Sequence, residues 1–283
     1  KKSMNKNIST FTLSNSSGSN FSDVSKAKKI ANNLKLNNTK IKIDSNNIKE
    51  EFQDFIRNME YPTDDGLNIY LATKNISNKK IKVCLTGLGG DEFFNGYSSS
   101  KTSLFKAILR NSFLWRFLPF LKKIIYKNGY GGYLKFLRIN PATISGYLYG
   151  KAFIFDKMPI KKIDFIIDIF TKDLKKKLPN KFLNRFSYLN RVSLLEIYAY
   201  CIPQLVKDAD TFGMANSVEV RPSLLLKSLF HKLLNNNLNE KKVNGKKFLV
   251  SKLDKKTSSF LNKNKEGFTI DIERFLRSDF TEI

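Results

Sequence analysis

The sequence holds only two cysteines and one histidine among its 283 residues. Cys84, Cys201 and His231 lie far apart along the chain, so no zinc-type ligand cluster can be assembled from them. Two cysteines are also too few for a disulfide framework. Both sit in apolar stretches and read as buried free thiols in a reducing cytoplasm. His231 falls in an apolar helical stretch and reads as structural. Acidic side chains are scarce, 25 against 50 basic ones, which leaves a formal net charge of +25. The lysines are scattered along the whole chain among many Asn and Ile residues, not gathered in one run. They read as solvated faces, and no nucleic-acid partner is expected. No apolar run approaches the ~18 residues of a membrane span. The most apolar stretch, Phe113 to Tyr126, is broken by Arg116, Lys122 and Lys123. The first residues are polar with no apolar core, so neither a signal peptide nor a membrane partner is expected. No internal repeat and no long low-complexity linker is visible. The length suffices for one large domain or two small ones.

What is present is concentrated in one run, Val83-Cys84-Leu85-Thr86-Gly87-Leu88-Gly89-Gly90-Asp91-Glu92-Phe93-Phe94-Asn95-Gly96-Tyr97. Its lead-in, Ile81 to Leu85, is apolar and β-branched apart from Lys82, and reads as a short buried strand. Gly87, Gly89 and Gly90 allow backbone angles closed to other residues and let main-chain N–H groups approach a ligand. Asp91 and Glu92 then stand where the chain turns into a helix. Strand, glycine turn and helix start together present N–H donors to phosphate oxygens. Carboxylates beside such a cradle suit Mg²⁺, which phosphates can share. A plain βα turn with packing glycines and an acidic helix cap fits the same pattern.

The first hundred residues alternate strand and helix. Ile8 to Leu13 alternates like a strand, and a helix capped at Ser22 runs to Leu34. Thr39 to Ile43 is a second strand, and Asn47 with Glu50 opens a helix to about Met59. Tyr61-Pro62-Thr63-Asp64-Asp65-Gly66 is a turn, and Leu67 to Asn75 a helix. The pattern predicts a parallel sheet flanked by helices, with ligands beyond the carboxyl ends of its strands, near Leu13 and Thr86. From about Ser100 the chain reads as mainly helical. Lys101 to Tyr126 is basic and helical, Asn128 to Tyr133 a glycine-rich break, and Tyr188 to Val206 a helix kinked at Pro203. The Lys-rich run from Lys172 to Lys177 reads as a solvated helix face. Residues 1–100 are thus expected to form an α/β nucleotide-binding half and residues 101–283 a mostly helical part.

The glycine-rich run resembles a signature of the asparagine synthetase family, in its C-terminal ATP-dependent synthetase domain: Leu-Ser/Thr-Gly-x-Gly-Gly/Ser-Asp-Glu-x-Phe-x-Gly-Tyr. Three further stretches resemble family motifs in the same order. Met59 to Thr73 is similar to Asp-x-Pro-x-x-Asp-Gly-x-Asn-x-Tyr. Leu205 to Arg221 is similar to Leu-Leu-Arg-Asp-x-Asp-x-x-Ser-Met-Ala-x-Ser-x-Glu-x-Arg. Lys263 to Phe268 is similar to Arg-x-Lys-x-Gly-Phe. The resemblance covers nearly the whole chain and implies an adenine-nucleotide alpha-hydrolase-like fold. It implies ATP with Leu13 near the adenine, and Thr86, Gly87 and Leu88 at the nucleotide. Asp91 would share Mg²⁺ with the pyrophosphate, with Glu92 in support. Lys265 would neutralise charge on the departing pyrophosphate, and Asp65, Asp210 and Glu219 would border the substrate. Otherwise Lys207, Asp208, Asp210, Glu219 and Arg221 read as ion-paired scaffolding in an apolar region. The implied reaction amidates aspartate or a related acid through an acyl-adenylate. Ammonia would come from glutamine on a glutaminase domain, in the same longer chain or a partner, and a homodimer is possible in this family.

The chain also departs from the family pattern. The Ser-Gly-Gly-x-Asp-Ser pyrophosphate loop expected before Ile8 is absent, as is the glutaminase domain, so a fragment is expected. Leu88 stands where well-studied members have Glu, and leucine cannot act as a base. Leu226 replaces a carboxylate in the family's Pro-x-Leu-Asp ending. Two rival readings remain open: a synthetase-like binding or scaffold domain without turnover, and a tRNA-modifying ATP pyrophosphatase.

Overall fold

The computed structural model describes residues 8–15, 21–43, 48–63, 65–94, 142–151, 160–228, 250–251 and 253–261. The Lys101–Tyr126 and Asn128–Tyr133 readings, Asn47, Asp64, His231 and the Lys263–Phe268 motif with Lys265 lie outside the described residues.

The chain divides into two compact units, each described by itself. The first comprises Lys1–Thr86, Gln204–Ser223 and Lys247–Ile283. The second comprises Gly87–Pro203 and Leu224–Lys246.

In the first unit, β1 (Ser9–Asn15) pairs parallel with β2 (Asn37–Ile43), Leu13 opposite Ile41. Helix α1 (Phe21–Asn33) is the crossover between them, as a parallel pair requires. Helices α2 (Ile48–Arg57) and α3 (Gly66–Ser77) follow, then β3 (Val83–Thr86). Among the described residues the strands form two separate parallel pairs, β1 with β2 and β3 with β4 (Glu219–Pro222). The architecture is mixed α/β and helix-rich, with small parallel sheets among the described residues.

Amphipathic spacing decides which faces meet. Phe55 of α2 and Leu67, Tyr70 and Leu71 of α3 converge with Ile43 and Ile48 on Phe212. The Phe55 and Phe212 rings lie 4.8 Å apart, and Tyr70 meets Phe212 edge-on at 6.5 Å. Burying each of these side chains is worth about 1.5–3 kcal/mol. A shorter helix, Lys255–Leu261, is tied to α1 by polar contacts. Asn33 Nδ2 donates to Thr257 Oγ1 at 2.9 Å, and Asp254 accepts from the Thr257 N–H at 2.9 Å.

The sequence predicts β3 as a buried strand, and the structure corrects this. Leu85 is 75% exposed and Val83 42%, while Cys84 and Thr86 on the opposite face are half-buried. β3 pairs with β4 in a parallel two-stranded ribbon, and the face that carries Val83 and Leu85 lies open to water. Cys84 is accordingly only half-buried, whereas Cys201 is buried, and both thiols are free.

In the second unit, the short helix α4 (Gly90–Phe93) follows the glycines. Helices α5 (Ile144–Lys151), α6 (Ile160–Lys177), α7 (Asn180–Leu183) and α8 (Tyr188–Glu196) enclose a core of Ile144, Tyr147, Leu174, Leu178, Leu183, Leu194 and Leu195. The Lys-rich end of α6 is the solvated face expected, with ion pairs from Lys172 to Asp168 and Lys177 to Asp173. Pro203 lies inside a π-helical stretch, Ile197–Val206. The wider turn accommodates a residue that lacks an N–H, where the sequence suggests a kink. Helix α9 (Lys207–Ala215) belongs to the first unit. Among the described residues no helix is long and apolar enough to cross a membrane.

Candidate functional site

The glycine-rich run behaves as a strand-turn-helix. β3 ends at Thr86, whose main-chain oxygen accepts from Ser223 Oγ at 3.1 Å. In the second unit the Gly90 N–H closes a turn onto the Gly87 oxygen at 3.2 Å. Gly89 has φ 90°, the left-handed region that side chains resist. A Cβ on Gly89 would stand 2.6 Å from the Leu225 side chain, and one on Gly90 3.0 Å from Leu224. Gly87 differs, because among the described residues a Cβ there would meet nothing within 4 Å. Gly89 is therefore required by its backbone angle, Gly90 sits close against Leu224, and Gly87 has the most room of the three among the described residues. Gly89→Ala combines an αL penalty of about 1–2 kcal/mol with the Leu225 overlap. It should lower the denaturation midpoint of the complete protein, while Gly87→Ala leaves the midpoint unchanged; equal midpoints would show the turn is not constrained in this way.

Asp91 and Glu92 are adjacent but have different surroundings, since neighbouring helix positions point about 100° apart. Asp91 is half-buried, whereas Glu92 is 2% exposed. Burial above all, then the Glu92 and Glu196 carboxylates, pushes the Cys201 thiol up to about 12, against the pull of a Gly89 N–H bond. Glu196 Oε2 accepts from the Tyr147 hydroxyl at 2.7 Å, and Ser193 Oγ donates to the Phe93 oxygen at 3.3 Å. These bonds fasten α4 and its neighbours within their own unit. Leu88 is half-buried and brings no charge. Among the described residues no group of three or more His, Cys, Asp or Glu could hold a metal by itself. The donor set at Asp91 fits Mg²⁺ that takes its other ligands from water and phosphate oxygens, and does not fit an all-protein cage.

In the first unit the two flanking motifs face each other. Asp208 is 0% exposed and accepts from the Tyr61 hydroxyl at 2.9 Å, Thr63 Oγ1 at 2.6 Å and Gln204 Nε2 at 3.0 Å. Burial, joined by the Asp208 carboxyl, raises the Tyr61 phenol to about 12, so it stays a donor at neutral pH. Midway along α3, Asn216 Nδ2 donates to the Tyr70 oxygen and to Thr73 Oγ1, both at 3.0 Å. Ion-paired scaffolding is the sequence expectation for Asp208; among the described residues its partners are neutral donors. Among the charged residues of that motif, the Arg221–Glu219 pair is instead exposed. Arg221 Nε and its terminal nitrogen bind the two Glu219 oxygens at 2.8 and 2.9 Å and hold the Glu219 carboxyl below its usual range.

Asp65 occupies the N-cap position of α3 but makes no capping bond with its side chain. Asp210 is exposed in the first turn of α9, and Leu13 packs half-buried against the Phe55–Phe212 core. Thr63, Asn68 and Gln204 escaped the sequence reading. Among the described residues Asn68 Oδ1 is buried without a hydrogen-bond partner, one helical turn beyond Asp65. Its place in the Asp-Gly-x-Asn spacing was the available signal. Thr63 and Gln204 carried none.

The asparagine synthase family model matches residues 1–279. The chain is 25% identical over 273 residues to a Bacillus subtilis (strain 168) protein named asparagine synthetase [glutamine-hydrolyzing] 1. That match covers 93% of this chain and 42% of the relative, so the chain spans less than half of that protein's length. No solved structure matches it.

Proposed function

The chain belongs to the asparagine synthase family, and on that premise we propose that it forms the synthetase portion of a glutamine-dependent amidotransferase. The complete protein would amidate aspartate or a related carboxylic acid at the expense of ATP, releasing AMP and pyrophosphate. The observation that carries this reading is the turn itself: a parallel strand, then left-handed Gly89, then a helix whose first turn bears Asp91. Among the described residues no atom comes within 4 Å of a Cβ placed on Gly87, which supports room for a nucleotide's phosphates beside its main chain.

A carboxylate acylates poorly, and joining it to AMP makes the amide accessible. In this reading Thr86 and Gly87 orient the nucleotide, with Leu88 beside them and Leu13 near the adenine. Asp91 is the residue that would hold Mg²⁺, which when bound neutralises pyrophosphate charge. Glu92, buried next to Asp91 in the same short helix, supports that site. Lys265 supplies fixed positive charge toward the leaving pyrophosphate. Asp65, with Asp210 and Glu219 as further candidates, faces the acceptor acid's amino group. Leu88 supplies no base, so the attacking ammonia is not deprotonated from that position.

The test is pyrophosphate and AMP release by the complete protein with ATP, Mg²⁺, ammonium and aspartate, followed by a panel of other amino-acid acceptors. One pyrophosphate per amide is expected. No AMP and no pyrophosphate with any acceptor ends the proposal.

A further inference from the structure

Asp208 is a carboxyl group at 0% exposure whose described partners are hydroxyls and an amide. For packing alone an apolar side chain of the same volume would serve as well or better, because burying a carboxyl is costly. What a carboxyl adds is direction. Thr63 Oγ1 donates to Asp208 and accepts from Gln204 Nε2 at 2.8 Å and from the Gly66 N–H at 3.0 Å. One donor and two acceptors are the full capacity of a hydroxyl, so its orientation is completely determined. Tyr61 is held from both sides, by Asp208 at its hydroxyl and by Lys207 Nζ 3.6 Å from its ring centre. Gly66 is pinned as well: a Cβ there would stand 2.6 Å from the Thr63 methyl and overlap the Phe212 ring.

Every one of these contacts converges on the loop that delivers Asp65 to the start of α3. We infer that Asp208, acting through Thr63, is a positioning residue that fixes the Asp65 loop and so sets affinity for the amino-acid acceptor. The kinetic part of this inference rests on the amidation reading above. Its structural part does not.

The experiment compares Thr63→Val and Thr63→Ser in the complete protein. Valine keeps the shape and removes the hydroxyl, whereas serine keeps the hydroxyl. Thr63→Val should raise KM for the acceptor about tenfold, the equivalent of one hydrogen bond. KM for ATP and kcat should stay within about twofold, and Thr63→Ser should restore the acceptor KM. Hydrogen exchange at the Gly66 amide should accelerate about tenfold in Thr63→Val and return toward the parent rate in Thr63→Ser. If Thr63→Val does not fold, Gln204→Met removes the amide that donates to both Thr63 and Asp208 but leaves the Thr63–Asp208 bond, and should raise the acceptor KM selectively, about threefold. A loss shared by acceptor and ATP, or an unchanged acceptor KM, overturns the inference. Should the unsubstituted protein release no pyrophosphate, the amidation reading fails by itself. The Gly66 exchange rate then decides the clamp alone, and an unchanged rate overturns it.

Discussion

Asp91→Asn in the complete protein should reduce pyrophosphate release by about 100-fold or more, the scale on which removing a fixed electrostatic contact acts. The substitution is nearly isosteric, and Asp91 is half-buried in the first turn of α4, so the fold should survive it. What changes is charge: an amide oxygen is a much weaker ligand for a hard divalent cation than a carboxylate. The Mg²⁺ concentration needed for half-maximal rate should therefore rise along with the loss of rate. Glu92→Gln should behave differently, because Glu92 is 2% exposed and its effect should fall on stability more than on Mg²⁺ dependence. Unchanged pyrophosphate release and an unchanged Mg²⁺ requirement in Asp91→Asn would remove Asp91 from the site.

Phe212→Ala should destabilise the complete protein by about 3–5 kcal/mol, the cost of emptying a large buried aromatic site. Phe212 is 0% exposed, lies 4.8 Å from the Phe55 ring, and fills the space that a side chain on Gly66 would need. The cavity would open beneath α3, between the two motifs that resemble those of the family. A neighbouring control is Met214→Ala on the same helix, where the side chain is 57% exposed and the change should be within about 0.5 kcal/mol. Denaturant midpoints of the three proteins compare them directly. A loss under about 1 kcal/mol for Phe212→Ala would mean that the motif pair is not held together through this ring.

Local signals carried the sequence reading a long way. Alternation placed β1 and β2 within two residues of the strands observed, because a half-buried strand writes its period into its own residues. Helical spacing did the same for α1 to α3. The glycines announced a left-handed turn, and Gly89 takes one. The reading went wrong where a property belongs to neighbours. Leu85 looks like a core residue by type, but its exposure depends on what packs over its face of β3. Pro203 announces an irregularity by type, but the wider π-helical register around it is not written in the local pattern.

By itself the sequence determined the identity and order of the motifs, the parallel α/β character and the position of the glycine turn. Each of these is encoded in residues adjacent or one period apart, and backbone sterics and amphipathicity act over that range. Tertiary structure alone decided that Asp208 is buried on neutral donors, that Glu219 is turned outward onto Arg221, and that Asp65 leaves its cap unmade. Asp208 meets Tyr61 and Thr63 across 147 and 145 positions of chain. A hydrogen bond over that separation leaves no periodic trace in the sequence, because its geometry exists only once both helices have packed on Phe212.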